Sequence, residues 1–253
     1  MNNFSEKHEI FHILFRYNSH FSTMTAISDS KRAFTNLKRM SLQFISEKDF
    51  ERIEKASVML HFKKGETILK QGSLPTHVVY LEKGVVKFSY ENEWKKNLIL
   101  TIAAAPKILG GANLFYKDNN LFSIVAIDEC DVILIDANKL LTVLMENSRF
   151  AIMLFQYASE MFKKSILNFI SLAYKKKESR IADIIIYLAE SVYYSYSFRL
   201  SLTRKELAEF AGCSLENVIM TLSRWQREKI IQINVRDLKI NNIEKMKYIS
   251  KIG

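Results

Sequence analysis

A chain of 253 residues, 48% of them hydrophobic, holds enough apolar material for one large or two moderate cores, which excludes a disordered polypeptide. The formal charge of +10 favours a polyanionic partner, either nucleic acid or an anionic membrane surface. Two cysteines, Cys130 and Cys213, exclude a disulfide framework and a four-thiolate metal site, and no run of 18 apolar residues supplies a membrane span. The N-terminal apolar residues are interrupted by His12 and Arg16, unlike a signal peptide, so a cytoplasmic protein is expected.

Residues 1–30 read as an N-terminal extension, with a helical pattern over 7–17. His8 and His12 share a helix face at metal-pair spacing, but no second pair accompanies them and no metal site is assigned. Residues 31–150 read as a sensory β domain with flanking helices. Phe34, Leu37, Met40, Phe44, Ile45, Phe50 and Ile53 mark the helices that open it, and Ser46 with Asp49 begins one of them. From Ser57 the period changes to short β-branched runs punctuated by Gly65, Gly72, Pro75, Gly84 and Pro106, the spacing of an antiparallel barrel or sandwich.

A helical region follows to Ala173, and residues 151–173 carry a heptad stripe of Ile152, Phe155, Ser159, Phe162, Ile166 and Phe169. The opposite side, with Met153, Leu154, Tyr157 and Met161, is apolar as well. A helix apolar on both sides requires two partners, here the β domain and the same helix of a second subunit, with packing inside the chain as the rival. The charged run 174–178 reads as a hinge, and residues 174–253 as a separate domain. That domain begins with an amphipathic helix carrying Ile181, Ile184, Ile185, Leu188 and Val192.

Within it, Thr203 and Glu206 form a capping box, Gly212 permits a sharp turn, and Ser214 caps a second helix. Val218, Leu222 and Trp225 form that helix's inner face. Leu215, Glu216, Ile219, Met220, Ser223, Arg224 and Arg227 are left outside. This is the pattern of a helix-turn-helix whose second helix enters the major groove. A hairpin around residues 234–237 forms a wing, and a short helix closes the chain.

In that order the chain resembles the Crp/Fnr family of bacterial transcription regulators, over about residues 30–250. FKKGETILKQG and VYLEKGVVK resemble the family's roll strands, ESRIADIIIYLAE its first DNA-domain helix, and LTRKELAEFAGCSLENVIMTLSRWQREKII its helix-turn-helix. The resemblance implies an α+β chain: an N-terminal antiparallel β-roll of the cyclic-nucleotide-binding kind, a long dimerisation helix and a C-terminal winged helix-turn-helix. It implies a homodimer on a near-palindromic DNA site, and contact with RNA polymerase. The family's phosphate contacts fall on Thr203, Arg204 and Ser214, and its base-reading positions on Leu215, Glu216 and Met220; Asn217 and Arg224 complete the candidate set. Met220 stands where the family usually carries a guanine-gripping arginine. Methionine cannot form that bidentate pair, worth about 1–3 kcal/mol of discrimination, so a changed half-site is expected.

The family's rolls take different effectors. Cyclic-nucleotide members carry a Gly-Glu and an Arg-Ser around the roll's short helix. Here no arginine lies between Gly110 and Ser148, and the glutamate position is Gly111 or Ala112, with Lys117 as the substitute charge, so a cyclic nucleotide is not expected. Two cysteines cannot hold an iron–sulfur cluster. Haem is the alternative cofactor, with His61, His77, Met145, Met153 and Met161 as the available axial ligands. Otherwise an apolar effector would sit among Phe115, Tyr116, Phe122, Phe150 and Tyr157, between roll and long helix. Cys213 precedes a helix N-terminus, which can lower a thiol pKa, but it is read as a small apolar turn residue. No catalytic motif is present, so an enzyme is not expected. The competing function is a ligand-sensing module that acts through a protein partner with a degenerate DNA-binding domain.

Overall fold

The computed structural model describes residues 34–109 and 118–252. The extension with His8 and His12, and the candidates Phe115, Tyr116 and Lys117, lie outside the described residues.

Two short helices come first, α1 (Thr35–Ser41) and α2 (Glu47–Lys55). Ser46 caps α2 by accepting from the Asp49 backbone N–H at 3.1 Å. Eight strands follow: β1 (Ser57–Phe62), β2 (Thr67–Leu69), β3 (His77–Lys83), β4 (Val85–Glu91), β5 (Asn97–Ala104), β6 (Lys107–Leu109), β7 (Ser123–Ala126) and β8 (Cys130–Asp136). They form two four-stranded antiparallel sheets in the orders β1-β8-β3-β6 and β2-β7-β4-β5. Gly84, at φ 99°, joins β3 to β4 where a Cβ would lie 2.4 Å from the Glu129 carbonyl oxygen. Only glycine lets the turn approach β8 that closely.

Both sheets are covered on both faces. Val79, Leu81, Leu109 and Val132 of the first sheet meet Val86, Phe88, Ala103 and Ile124 of the second inside the roll. Alternate residues of the same strands, Val78, Tyr80, Ile133 and Ile135, point the other way onto the helices. This explains why the strands read as continuous apolar runs and not as alternating ones.

After β8 come α3 (Ala137–Glu146) and α4 (Ser148–Tyr174), broken at Asn147, whose backbone leaves the helical region. Asp136 caps α3. The hinge is two residues long, Lys175 and Lys176, before α5 (Lys177–Tyr187). A π turn, Leu188–Val192, continues α5. The remaining elements are β9 (Ser197–Arg199), α6 (Arg204–Ala211), α7 (Leu215–Arg227), β10 (Ile231–Asn234), β11 (Asp237–Ile240) and α8 (Ile243–Lys251). β11 lies between β10 and β9, so the expected wing is a three-stranded sheet whose β10–β11 turn is Val235-Arg236.

The outer face of the second sheet is covered by this C-terminal region. Val85, Ile99, Ile102 and Ile127 share one buried cluster with Ile181, Ile185, Leu188, Leu202, Leu207 and Phe210. The sequence reads as roll, hinge and separate reader; the structure packs reader and roll on a common core.

Candidate nucleic-acid interface

The helix-turn-helix is built from its caps. Thr203 Oγ1 accepts from the Glu206 backbone N–H at 3.1 Å, and the Glu206 carboxylate accepts from the Thr203 backbone N–H at 2.7 Å, closing the expected box. Gly212 ends α6 in the left-handed region at φ 57°, ψ 42°. A Cβ there would come within 2.8 Å of the Leu172 side-chain tip near the end of α4, which could shift aside, so the turn needs glycine for its left-handed backbone. Ser214 then caps α7 by accepting from the Asn217 backbone N–H at 3.3 Å. Val218, Leu222 and Trp225 are essentially fully buried and fix the helix on its inner side.

The outer side of α7 is open. Glu216, Met220 and Arg224 form one row at i, i+4 and i+8, and Leu215, Ile219, Ser223 and Arg227 a second beside it, all exposed. Met220 is 70% exposed, on the outer face of α7 and not in the core. Ile219 lies outside the expected contact set, although its spacing from Leu215 signals the shared row. The backbone N–H at the start of α7 and the Ser214 side chain hold the Glu216 carboxyl below its ordinary range, so it is ionised and acceptor-only at neutral pH. Thr203 is exposed beside this surface, and Arg204 is half-buried, with burial lowering its pKa. The Asn217 amide is turned inward and donates to Ser214 Oγ at 2.8 Å.

Arg224 is not free. Its guanidinium meets Glu178 of α5 at 2.5 Å, and the same Glu178 oxygen accepts the Trp225 indole N–H at 2.9 Å. Arg180 donates to the Leu172 carbonyl at 2.9 Å and to the Gly212 carbonyl at 3.0 Å, tying the end of α4 to the helix-turn-helix turn. Asp183 accepts from Ser171, Lys175 and Ser250. The hinge is therefore bound on several sides.

The roll grips the reader through polar contacts too. Lys87 on β4 donates to Glu206 at 2.7 Å, with both side chains less than one-fifth exposed. Burial disfavours the Glu206 charge, but hydrogen bonds from Lys87 and Thr203 outweigh it and hold this carboxyl below its ordinary range. Ser201 donates to Asp128 at 2.7 Å and receives Lys64 on its carbonyl at 2.7 Å. Tyr187 donates to the Ile102 carbonyl.

The stripe on α4 is exposed along its length. Phe155, Phe162 and Phe169 are each about 70% exposed, with Ile152, Ser159 and Ile166 between them. Among the described residues nothing packs on this stripe: Met153 is the side of α4 that meets the roll's helical cluster, and Met161 packs on the cluster inside the roll.

The described members of the aromatic effector set divide between two clusters. Phe122 packs on Phe88 inside the roll, with ring centroids 5.1 Å apart. Phe150 is 1% exposed in the cluster on the other side of the first sheet, where Tyr157 also packs. These three described candidates therefore pack in two clusters, Phe122 in one and Phe150 with Tyr157 in the other. Of the haem candidates, His61 is exposed and paired with Asp131 at 2.8 Å, His77 is exposed beside Thr76, and Met153 is buried. Nothing gathers them into an axial pair. For Cys213, burial pushes the thiol pKa up, opposite to the lowering expected from the helix N-terminus, and it packs against the reader core. The buried Cys130 thiol is likewise raised, to about 11. Among the described residues no group of three His, Cys, Asp or Glu side chains is placed to hold a metal, and no helix is long and apolar enough to cross a membrane.

Comparisons with known proteins agree with this architecture. The cyclic nucleotide-binding domain family matches residues 59–147, and the Crp-like helix-turn-helix domain family matches residues 179–249. The cAMP-activated global transcriptional regulator CRP of Haemophilus influenzae is 22% identical over 178 residues, covering 69% of this chain and 80% of that protein. Its namesake in Pasteurella multocida is 24% identical over 179 residues, covering 69% and 85%. Among solved structures, FixK2 from Bradyrhizobium japonicum superposes with a TM-score of 0.71 at 15% identity, over 78% of this chain and 98% of its own, which shows the shared fold. With a cyclic-nucleotide-binding roll followed by a Crp-like helix-turn-helix on this fold, the chain belongs to the Crp/Fnr family of DNA-binding transcription regulators.

Proposed function

We propose that the protein works as a homodimer on a near-palindromic duplex site, with one α7 in the major groove of each half-site. The observation that carries this reading is the open outer face of α7, held rigidly by a fully buried inner face. Thr203, Arg204 and Ser214 supply phosphate contacts from a hydroxyl, a guanidinium and a helix start, and Leu215, Glu216 and Met220 read bases. Asn217 supports the Ser214 cap, and Arg224 adds a cation two turns along α7. The exposed α4 stripe of Ile152, Phe155, Ser159, Phe162, Ile166 and Phe169 is the dimer seam. Contact with RNA polymerase belongs to the same proposal by family membership.

The Haemophilus influenzae relative is named for its activation by cAMP. Here the effector is proposed to be something other than a cyclic nucleotide, because residues 110–148 contain no arginine to pair a buried phosphate. Replacement of an arginine by Met220 makes the half-site less dependent on guanine and favours contact with thymine methyl groups.

Fluorescence anisotropy with duplexes recovered by site selection tests the reading. Affinity should fall steeply as salt rises, by about 0.9 in log K per log salt for each phosphate neutralised. Glu216→Ala should weaken the selected site but not random duplex, and Phe162→Glu should convert dimer to monomer in sedimentation. Selection of the usual strong guanine would overturn the Met220 assignment. The apolar character of Leu215, Ile219 and Met220 favours one second reading, a degenerate DNA face that docks a protein partner; absence of duplex binding even at low salt would select it.

A further inference from the structure

We propose that Glu178 is a built-in competitor of DNA for Arg224: a carboxylate at the hinge that holds this recognition-helix cation away from phosphate and so limits sequence-independent binding. The inference rests on the reading of α7 as the DNA-facing helix. Arg224 lies in the same exposed row as Glu216 and Met220, about 12 Å further along the helix axis than Glu216, within the span of a major groove. By row and by charge it belongs to the nucleic-acid face. Its guanidinium nevertheless points back to Glu178.

The geometry fixes Glu178 in that role. It stands in the first turn of α5, where a negative charge is favoured by the helix dipole. Its Oε1 also accepts from the indole of Trp225, which is completely buried, so the carboxylate is held in place whether or not Arg224 is present. An open hollow beside it is lined by Lys175, Lys176, Lys177 and Arg180, and Glu178 is the one carboxylate in that set. With Lys175 paired to Asp183, Lys176, Lys177 and Arg180 keep the surroundings of Glu178 net positive, and Glu178 takes the Arg224 charge out of reach beside them. Arg224 is still 44% exposed, so a phosphate can reach its free face and exchange with Glu178 when the helix is seated in the groove. The acidic residue makes non-specific encounters weaker and leaves the base-reading residues, which do not touch it, to supply discrimination.

The test uses the full-length protein and two duplexes, a selected site and a random sequence, across a salt series. Glu178→Gln keeps an oxygen acceptor for the Trp225 indole and removes only the charge. It should bind random duplex roughly threefold to tenfold more tightly at low salt, with a salt slope steeper by about 1, and should narrow the ratio between selected and random sites. Arg224→Gln in the native background should weaken the selected site and should reduce random-duplex binding by less than it does in the Glu178→Gln background. The double variant should match Arg224→Gln, which routes the effect through this pair. Unchanged binding and slope in Glu178→Gln, with an unaltered melting curve, overturns the proposal, as does an equal gain when Arg224 is already absent. Loss of random-duplex affinity in Arg224→Gln as large as that seen in the Glu178→Gln background also overturns it. If neither the native protein nor any variant binds either duplex at low salt, the DNA-facing reading of α7 itself fails, which is a separate outcome from the first three.

Discussion

The two outer faces of the roll are covered in different ways. The first sheet is sealed by α1 to α4 around an apolar core of side chains such as Leu37, Phe50, Ile53, Leu140, Val143 and Phe150, with the Glu82 carboxylate accepting from the α1 backbone beside it. The second sheet is sealed by the reader, whose apolar contacts are bordered by Lys87–Glu206, Ser201–Asp128 and Lys64 on the Ser201 carbonyl. An apolar interface between neighbouring elements has little reason to open. An interface held at its rim by ion pairs and hydrogen bonds has geometry that depends on a few groups, each able to exchange its partner for water or phosphate. Glu206 matters most here, because the carboxylate that Lys87 holds also caps α6 and accepts from the Thr203 hydroxyl at 2.9 Å. The roll therefore reaches a proposed phosphate contact through one side chain.

The largest expected effect lies on the apolar side. Phe150→Ala leaves a cavity under α4 and should cost about 3–5 kcal/mol, melting roll and reader together in calorimetry if the shared core is as continuous as described. Two separate transitions would break the comparison. Lys87→Met comes next. Glu206 keeps its bonds to Thr203 but loses its cation, and the cost should be about 1–2 kcal/mol, seen as faster amide exchange in α6 with β1 and β8 unaffected. A cycle with Glu206→Gln should show strong coupling between the two.

Acidification should give the smallest effect and opposite signs on the two sides. Burial raises the Glu82 carboxyl above its ordinary value of 4.5, against hydrogen bonds from the α1 backbone, and its Oε2 has no hydrogen-bond partner among the described residues. A raised carboxyl penalises the folded state above its folded pKa, so stability on the α1 side should rise as pH falls from neutral towards 4.5. Glu206 is held below 4.5, so its contribution is complete above that value and is lost as pH falls below it. Melting temperature against pH should show the first slope vanish in Glu82→Gln and the second in Glu206→Gln.

What could be read in the sequence was local. Thr203 with Glu206, Gly212 as the turn and Ser214 with Asn217 are spaced by three residues or fewer, and their chemistry leaves few alternatives. The roll's strands and the α4 stripe followed from periodicity, which also marked α4 as apolar on both sides. The rest depended on tertiary placement. Lys87 and Glu206 are 119 residues apart, and Glu178 and Trp225 are 47 apart, so no spacing rule joins them. The placement of the aromatic candidates was hidden for a related reason. Composition gathered Phe122, Phe150 and Tyr157, but which side of a sheet each faces is settled only when the strands are paired. The fold was therefore legible to the level of family, and the site to the level of one helix face.

The contact between Gly212 and Leu172 gives α4 the character of a lever. The helix has 27 residues, so it is about 40 Å long, with Met153 seated in the roll's helical cluster at one end and Leu172 under the helix-turn-helix turn at the other. Between Met153 and Leu172 the arm is about 28 Å, so a tilt of about 7° about the roll end carries Leu172 about 3.5 Å, close to the 3.4 Å rise of one nucleotide along a strand. Asn168 also donates to the Leu100 carbonyl of β5, and the reader shares a core with the second sheet, so such a tilt has to carry that sheet's packing with it and arm and sheet move as one linkage.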